Sequence, residues 1–535
     1  MKNTFKTICA LILCAAAFAC TDQLQNDAVK SVITADVTSI NEVAANNPAE
    51  FPVSIKSNVN WIVETPEWVT PSAVFGHGDA ILTFSFASNY KNETTTTKSR
   101  SGEIKISGGG TLNGQGVVLV IPVTQLGFTY VDPNQPIGNI PDVDEFIDFL
   151  KTILAGNEPT RWTNDSGEVS LEADLDLSAV EYDWTKHVLA VKNANNGCTI
   201  EGASFSAIFN GNGHKITGFN PKGVVLEEGQ TFGLFPIVSG GTVKNVELSG
   251  DMEITATGTA DAGMLVGTAY NANIKDVTVG GTITSAGSST SKRFAIGAVC
   301  GFAFAENDVN TVIENAVSNV AVDFVGGSNL ANGAGCAMYG GIVGFATAIN
   351  AADKAIVIIK NCVNNGDMNV TLGRCSGIVA TANTGTTIQG CTNNGDQVNK
   401  IADGRLGNIV CNMSHYCHVI DCVNNGDVDA TVEGYKGTVG GLIALAGSAN
   451  GCTISGGGNY GTIKTVGTAG TSLKYVGLLW ANHNNHIPTS GLVASGRIIV
   501  DGVEREINES NYMENVGSMK YPEDVTGITW VAPKN

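Results

Sequence analysis

Alternation of apolar and polar positions makes this chain almost entirely strand. From residue 31 to 128 the runs Phe51 to Ile55, Trp61 to Glu64, Ala80 to Phe86, Gly102 to Ser107 and Val117 to Gln125 show the period-two pattern of half-buried strands. A segment of this length and pattern predicts a β-sandwich. Pro133, Pro136 and Pro141 then mark a stiff linker over residues 129–141. The one clear helix pattern follows. Asp142 is placed as N-cap before an acidic first turn, Phe146, Ile147, Phe149, Leu150, Ile153 and Leu154 form one apolar face, and Gly156 stops the run. A lone amphipathic helix ahead of a strand array is expected to cap it.

The array starts with the alternating run Val169 to Leu177, and a short motif then recurs. It reads Phe232-Gly233-Leu234-Phe235, Gly263-Met264-Leu265-Val266-Gly267, Gly297-Ala298-Val299-Cys300-Gly301, Gly340-Gly341-Ile342-Val343-Gly344, Ser376-Gly377-Ile378-Val379, Gly407-Asn408-Ile409-Val410, Gly440-Gly441-Leu442-Ile443 and Gly477-Leu478-Leu479-Trp480. Counted on positions 233, 263, 297, 341, 377, 408, 441 and 477, the spacing is 30 to 44 residues. A second motif lies between these: Cys362-Val363-Asn364-Asn365-Gly366-Asp367, Cys391-Thr392-Asn393-Asn394-Gly395-Asp396 and Cys422-Val423-Asn424-Asn425-Gly426-Asp427, with Gly458-Asn459-Tyr460-Gly461 as a weaker fourth copy. A unit of three short strands cannot bury its apolar side alone, whereas stacked units share a continuous core. The predicted fold class is therefore all-β, an immunoglobulin-like β-sandwich followed by a right-handed parallel β-helix over residues 142–496 with a short N-terminal capping helix. Residues 497–535, holding Tyr512, Tyr521 and Trp530, are expected to break the repeat and cap its other end. A β-propeller has a similar period but fits short strands, uneven insertions and a capping helix poorly.

This geometry gives the repeated residues roles. Inward Val, Ile and Leu stack, Asn side chains form ladders, and Cys362, Cys391 and Cys422 fall at equivalent positions in successive coils. A buried thiol ladder is the preferred reading of those cysteines; a disulfide between neighbouring coils is the alternative.

Some motifs also carry resemblances. Ser57-Asn58-Val59-Asn60-Trp61, Pro66-Glu67-Trp68-Val69-Thr70-Pro71, Gly76-His77-Gly78, Arg100-Ser101-Gly102 and Val123-Thr124-Gln125-Leu126-Gly127 come in an order that resembles a BACON domain. The stretch Asn89 to Ser99 is longer and richer in threonine than that family's usual turn. The resemblance implies an immunoglobulin-like module of Bacteroidetes and, by its name, carbohydrate binding. Trp61 alternates with polar residues as a core tryptophan does, while Trp68 fits core or surface equally. A spacer role for the module stays open. Asp174-Leu175-Asp176-Leu177-Ser178, Phe209-Asn210-Gly211-Asn212-Gly213-His214 and the repeats that follow resemble GLUG-type β-helices, which implies an adhesin-like surface protein.

The first residues change where this body is expected to be. Lys2, Lys6, the apolar run Ile8 to Phe18 and Ala17-Phe18-Ala19 before Cys20 form a lipobox. A signal peptide over residues 1–19, lipidation at Cys20, a tether over residues 20–30 and a lipid-anchored outer-membrane, surface-exposed location follow. An ordinary signal peptide ending beside a cysteine is the alternative. Net charge is -20, and more negative once Lys2 and Lys6 leave with the signal, so the only membrane contact expected is through acyl chains and nucleic acid is not an expected partner. Of the 13 cysteines, Cys9 and Cys14 fall in the signal and Cys20 at the anchor, and the rest match no zinc or disulfide framework.

Catalytic chemistry finds little support. A hydrolase needs clustered outward carboxylates, and a lyase needs a base beside a bound cation. Asp367, Asp396 and Asp427 recur once per coil but follow Asn-Asn-Gly, where Asp is an ordinary turn residue. His415 with His418, and His483 with His486, are three apart and on a strand face opposite sides; His214 belongs to a turn. No catalytic residue, metal or cofactor is assigned. The candidate glycan contacts are Trp68, Trp480 and Tyr416, with Tyr339 and Tyr435 as further aromatics of the flank. The expectation is an adhesin-like binder of polysaccharide or host glycoprotein, with a polysaccharide lyase or hydrolase, or a purely structural surface component, as rivals.

Overall fold

The computed structural model describes residues 30–533 except 93–94, 110–115, 129–134, 195–196, 288–292, 325–336, 350–355, 372, 401–403, 448–449 and 468–474. The expected signal, Cys20 and the tether through Val29 lie outside the described residues. Between Gln135 and Pro136 the chain divides into two compact units.

In the first unit, Ile33–Ala35, Phe51–Ser57, Ala80–Phe86 and Val69–Pro71 form one sheet, and Ile40–Val43, Val117–Gln125, Arg100–Gly108, Asn60–Glu64 and Phe75–His77 form the other. Their alternate residues, among them Val53, Ile55, Leu82, Phe84, Ile104, Ile106, Ile121 and Val123, close on one core. Trp61 is 3% exposed, and its Nε1 donates to Gly78 O at 2.9 Å, the partner a buried indole needs. Gly76 makes room for the ring, since a Cβ there would collide with Trp61 Cζ2. Arg100 and Gln125 are Cα partners on neighbouring strands. Arg100 Nε donates to Gln125 Oε1 at 2.8 Å, and Gln125 Nε2 donates to Ala44 O and Ala87 O. Trp61, Gly76, Arg100 and Gln125 are thus internal fastenings of this unit.

The second unit is a parallel β-helix. One coil runs Val357–Lys360, Val363–Asn364, Met368–Val370, Arg374–Ser376 and Val379–Ala382. The next pairs on it in parallel, with Ile359 on Ile388, Asn364 on Asn393, Met368 on Gln397, Cys375 on Leu406 and Val379 on Val410. Repetition builds one 25-stranded and two nine-stranded sheets around a long main core, with a smaller apolar cluster that includes Val191, Ile237, Phe302, Phe304 and Phe345. The glycine motif aligns one residue differently from the count used on the sequence: Gly297, Gly340, Ser376, Gly407, Gly440 and Gly477 share a column.

A second column explains strands longer than expected. Thr242–Ala256 and Asn273–Gly287 run for 15 residues each because the ladder continues around a corner made by one left-handed residue. That corner holds Asn245, Asp276, Asn315, Asn361, Gly390, Asp421, Gly456, Gly491 and Gly527, with φ between +52° and +68°. Asn, Asp and Gly are the residues that tolerate this region, so the coil's bend is written into the sequence.

The two repeated motifs pack on each other. Asn364, Asn393, Asn424 and Asn459 form a buried column in which each Nδ2 donates to the Oδ1 of the next, at 2.7 to 2.9 Å. Gly341, Gly377 and Gly441 stand opposite Asn364, Asn393 and Asn459, and a Cβ at any of them would strike the amide. Where the column meets Asn408 instead of glycine, Asn408 Oδ1 accepts from Gln397 Nε2.

The N-terminal end is closed by chain. The helix Val143–Leu154, with Asp142 Oδ1 accepting from Glu145 N at 3.0 Å, buries Phe146, Phe149, Leu150 and Ile153. Phe149 packs 5.9 Å from Phe205 and from Phe209, ring to ring. Glu145 fixes the helix from outside, accepting from Arg161 Nη2 at 2.6 Å and Trp162 Nε1 at 2.8 Å. At the other end, the segment expected to break the repeat continues it. Ile498–Val500, Ser518–Met519, Val525–Thr526 and Thr529–Trp530 each pair in parallel with the preceding coil.

Candidate functional site

Outward-facing side chains of the β-helix form stripes along its flank, because the residue after each buried one recurs at the same position around every coil. Asn365, Asn394 and Asn425 directly follow the buried asparagines and point to solvent. Asn365 Nδ2 donates to Asn319 Oδ1, Asn394 Nδ2 to Asn365 Oδ1 and Asn425 Nδ2 to Asn394 Oδ1, at 2.8 to 2.9 Å. An amide has two N–H groups and two lone pairs. The ladder uses one of each in its middle members, leaving one donor and one acceptor per coil directed outward. Beside it, Asp367 Oδ1 accepts from Asp396 N, Asp396 Oδ1 from Asp427 N and Asp427 Oδ1 from Thr462 N, at 2.7 to 2.9 Å. These carboxylates are turn fastenings between coils. Near the left-handed corner of the earlier coils, an open depression of about 500 Å³ is lined by Asn212, Asn245, Glu247, Asp276 and Thr278.

The aromatic candidates fare differently. Trp480 is 1% exposed and is not a surface contact: it occupies the inward column of Val266, Cys300, Val343, Val379, Val410 and Ile443. Tyr339 and Tyr435 are also buried, Tyr339 in the inward column of Ile296 and Cys375, and Tyr435 with its hydroxyl donating to Gly404 O at 3.2 Å. Trp68 is half-buried, and the Arg100 guanidinium lies over its ring, 4.7 Å from the centroid, so that face is not open to a sugar. Tyr416 is 42% exposed. It has φ +55° and rests against Gly451, where a Cβ would collide with its ring.

The histidines serve the fold. His418 Nδ1 bonds Thr453 Oγ1 at 2.8 Å, and buried His483 bonds Thr489 Oγ1 through Nε2 at 3.2 Å. His486 Nδ1 bonds Asp524 Oδ2 at 2.9 Å on the exposed side, so His483 and His486 point apart. His214 Nδ1 lies 3.1 Å from Asp174 Oδ1 within the first coils. Among the described residues, no three His, Cys, Asp or Glu side chains converge on a metal position. Sequence reasoning missed a half-buried pair: Tyr182 OH donates to His187 Nδ1 at 2.9 Å, because His187 Nε2–H is committed to Leu234 O at 3.0 Å. Burial holds His187 down to about 4 and pushes Tyr182 up to about 12. Both are therefore neutral over the physiological range. They border an aromatic cluster with Trp184, Phe219 and Phe232. A hollow of about 300 Å³ lined by Tyr182, Asp183, Trp184, Asn220 and Lys222 opens beside it.

No protein-family model matches the chain, and no curated protein matches it. Among solved structures it is similar to a Bacteroides ovatus protein provisionally named an immunoglobulin A1 protease, with 13% identity, 75% of this chain and 85% of that one covered, and a TM-score of 0.29. It is similar to an IgA1 protease, with 13% identity over 90% of this chain and 26% of that one, at a TM-score of 0.33. A Bacteroides ovatus GH5 xyloglucanase in complex with a XXXG heptasaccharide shares 16% identity over 21% of this chain and 22% of that one, at a TM-score of 0.15. This chain thus spans about a quarter or less of the last two. Superpositions this loose leave the fold to be read from the strand pairing itself. That pairing defines an all-β chain with a sandwich and a parallel β-helix.

Proposed function

We propose that this is a lipid-anchored, cell-surface, adhesin-like protein that binds glycans or glycoproteins along the outer flank of its β-helix. The observation that carries this reading is the solvent-facing amide ladder Asn319–Asn365–Asn394–Asn425. Its donors and acceptors are held in place before any ligand arrives, so a hydroxyl-rich polymer loses little to ordering the protein. Tyr416 offers an aromatic platform on the same β-helix. The BACON-like module acts in this reading as a spacer, its signature residues being spent on its own core.

The test is binding of the chain from Ser31 onward to a panel of soluble polysaccharides and glycoproteins, with reducing-end and unsaturated-product release assayed alongside. Saturable binding without product, weakened when Asn365, Asn394 and Asn425 are replaced together by Ala, is the expected result. Released product would make the protein an enzyme, and binding indifferent to the triple substitution would remove the ladder from the site.

A further inference from the structure

The nine described cysteines are buried free thiols, and two of them form a pair of their own. Cys417 and Cys452 each directly precede a member of the in-register pair His418 and Thr453. Thr453 N donates to Cys417 O at 3.1 Å, and Cys417 N donates to Cys452 Sγ at 3.3 Å. Neighbouring Cα atoms across parallel strands lie about 4.8 Å apart, within the span a disulfide accepts. By the same register, Thr386 precedes Cys417 in the column and Ile487 follows Cys452. Each thiol therefore has one sulfur neighbour in its column, whereas Cys391 has Cys362 on one side and Cys422 on the other.

We propose that Cys417 and Cys452 form an intercoil disulfide on exposure to a small disulfide oxidant, a redox clasp beneath the Tyr416 turn. Tyr416 directly precedes Cys417 and leans on Gly451, which directly precedes Cys452, so the bond ties together the two turns that present this tyrosine. The hydrogen bond from Cys417 holds the Cys452 thiol below its ordinary range, while burial pushes Cys417 up. Cys452, whose sulfur also accepts the Cys417 N–H, is the first nucleophile. Its thiolate attacks one sulfur of the oxidant and expels the other half as a thiol. Cys417, now against Asn383 O, rotates about χ1, attacks the mixed disulfide at the Cys452 sulfur and releases the second thiol. Two protein thiols are oxidised, one external disulfide is reduced to two thiols, and the two protons pass to the leaving sulfurs. Both cysteines are 1% exposed, so the reaction proceeds as the Tyr416–Gly451 contact opens.

The full chain is incubated with oxidised glutathione, once in its native state and once while refolding from urea, then denatured with N-ethylmaleimide and mapped by peptide mass. The expected result in both arms is a Cys417–Cys452 crosslinked peptide, two hydrogens lighter than the reduced pair, as the main disulfide. The oxidised chain should also melt several degrees higher than the reduced one, a gain absent in C452S. Alkylation of both cysteines in both arms, or crosslinks running mainly among Cys362, Cys391 and Cys422, would overturn the proposal.

Discussion

Two asparagine ladders run side by side through the same coils, built from adjacent residues of one motif, and they have opposite characters. In the inner one, Asn424 uses every valence: Nδ2 donates to Gly426 O at 2.8 Å and Asn459 Oδ1 at 2.7 Å, and Oδ1 accepts from Asn393 Nδ2 at 2.9 Å and Gly426 N at 3.2 Å. In the outer one, Asn394 bonds Asn365 and Asn425 and leaves the rest of its amide to solvent. Donors point toward the C-terminal coils inside and toward the N-terminal coils outside. A residue's identity and repeat therefore do not disclose its role; the face it occupies does. Saturated amides specify the core, and half-used ones can recognise something else.

Substitutions on the two faces should separate the roles, beginning with the largest effect. Trp480→Ala, inside, should cost about 4 kcal/mol through lost burial and a cavity, read as an earlier urea midpoint, while folded protein binds glycan as before. Asn393→Ala should cost about 3 kcal/mol, since it orphans one buried N–H of Asn364 and a lone pair of Asn424; preserved stability would mean that the inner ladder is dispensable. Glu145→Gln, at the cap, should cost about 1 to 2 kcal/mol at neutral pH. The hydrogen bond from Arg161 holds the Glu145 carboxyl below its ordinary 4.5, so its contribution is present above that value and is lost as pH falls through the lower folded one. The wild type and E145Q should thus converge in thermal melts only once pH has fallen below that lowered folded value. Asn394→Ala, outside, should change stability by less than about 0.5 kcal/mol while lowering glycan binding.

Much of this was legible in the chain. The helix appeared where Asp142 and the Phe146 to Ile153 face placed it, because capping and periodicity are local signals. Coil stacking followed from repetition. The face of single aromatics was harder: aligning Gly477-Leu478-Leu479-Trp480 with Gly440-Gly441-Leu442-Ile443 puts Trp480 in an inward column, but an aromatic standing where other coils carry Val or Ile reads as readily as a surface platform. The left-handed corner was equally available, since Asn361, Gly390 and Asp421 directly precede the three aligned cysteines, yet three residue types sharing one backbone requirement do not look like a motif. The packing of Asn393 against Gly377 joins a strand residue to the bend between two other strands, and no local signal announces it.

The most direct test of the account compares glycan affinity of the chain from Ser31 onward with that of its N365A/N394A/N425A form, using whichever soluble polysaccharide binds best. An unchanged melting profile and an affinity at least about tenfold weaker, roughly 1.4 kcal/mol, are expected of the triple variant. Equal affinity in the two proteins would contradict it and leave the outer ladder, like the inner one, a device of the fold.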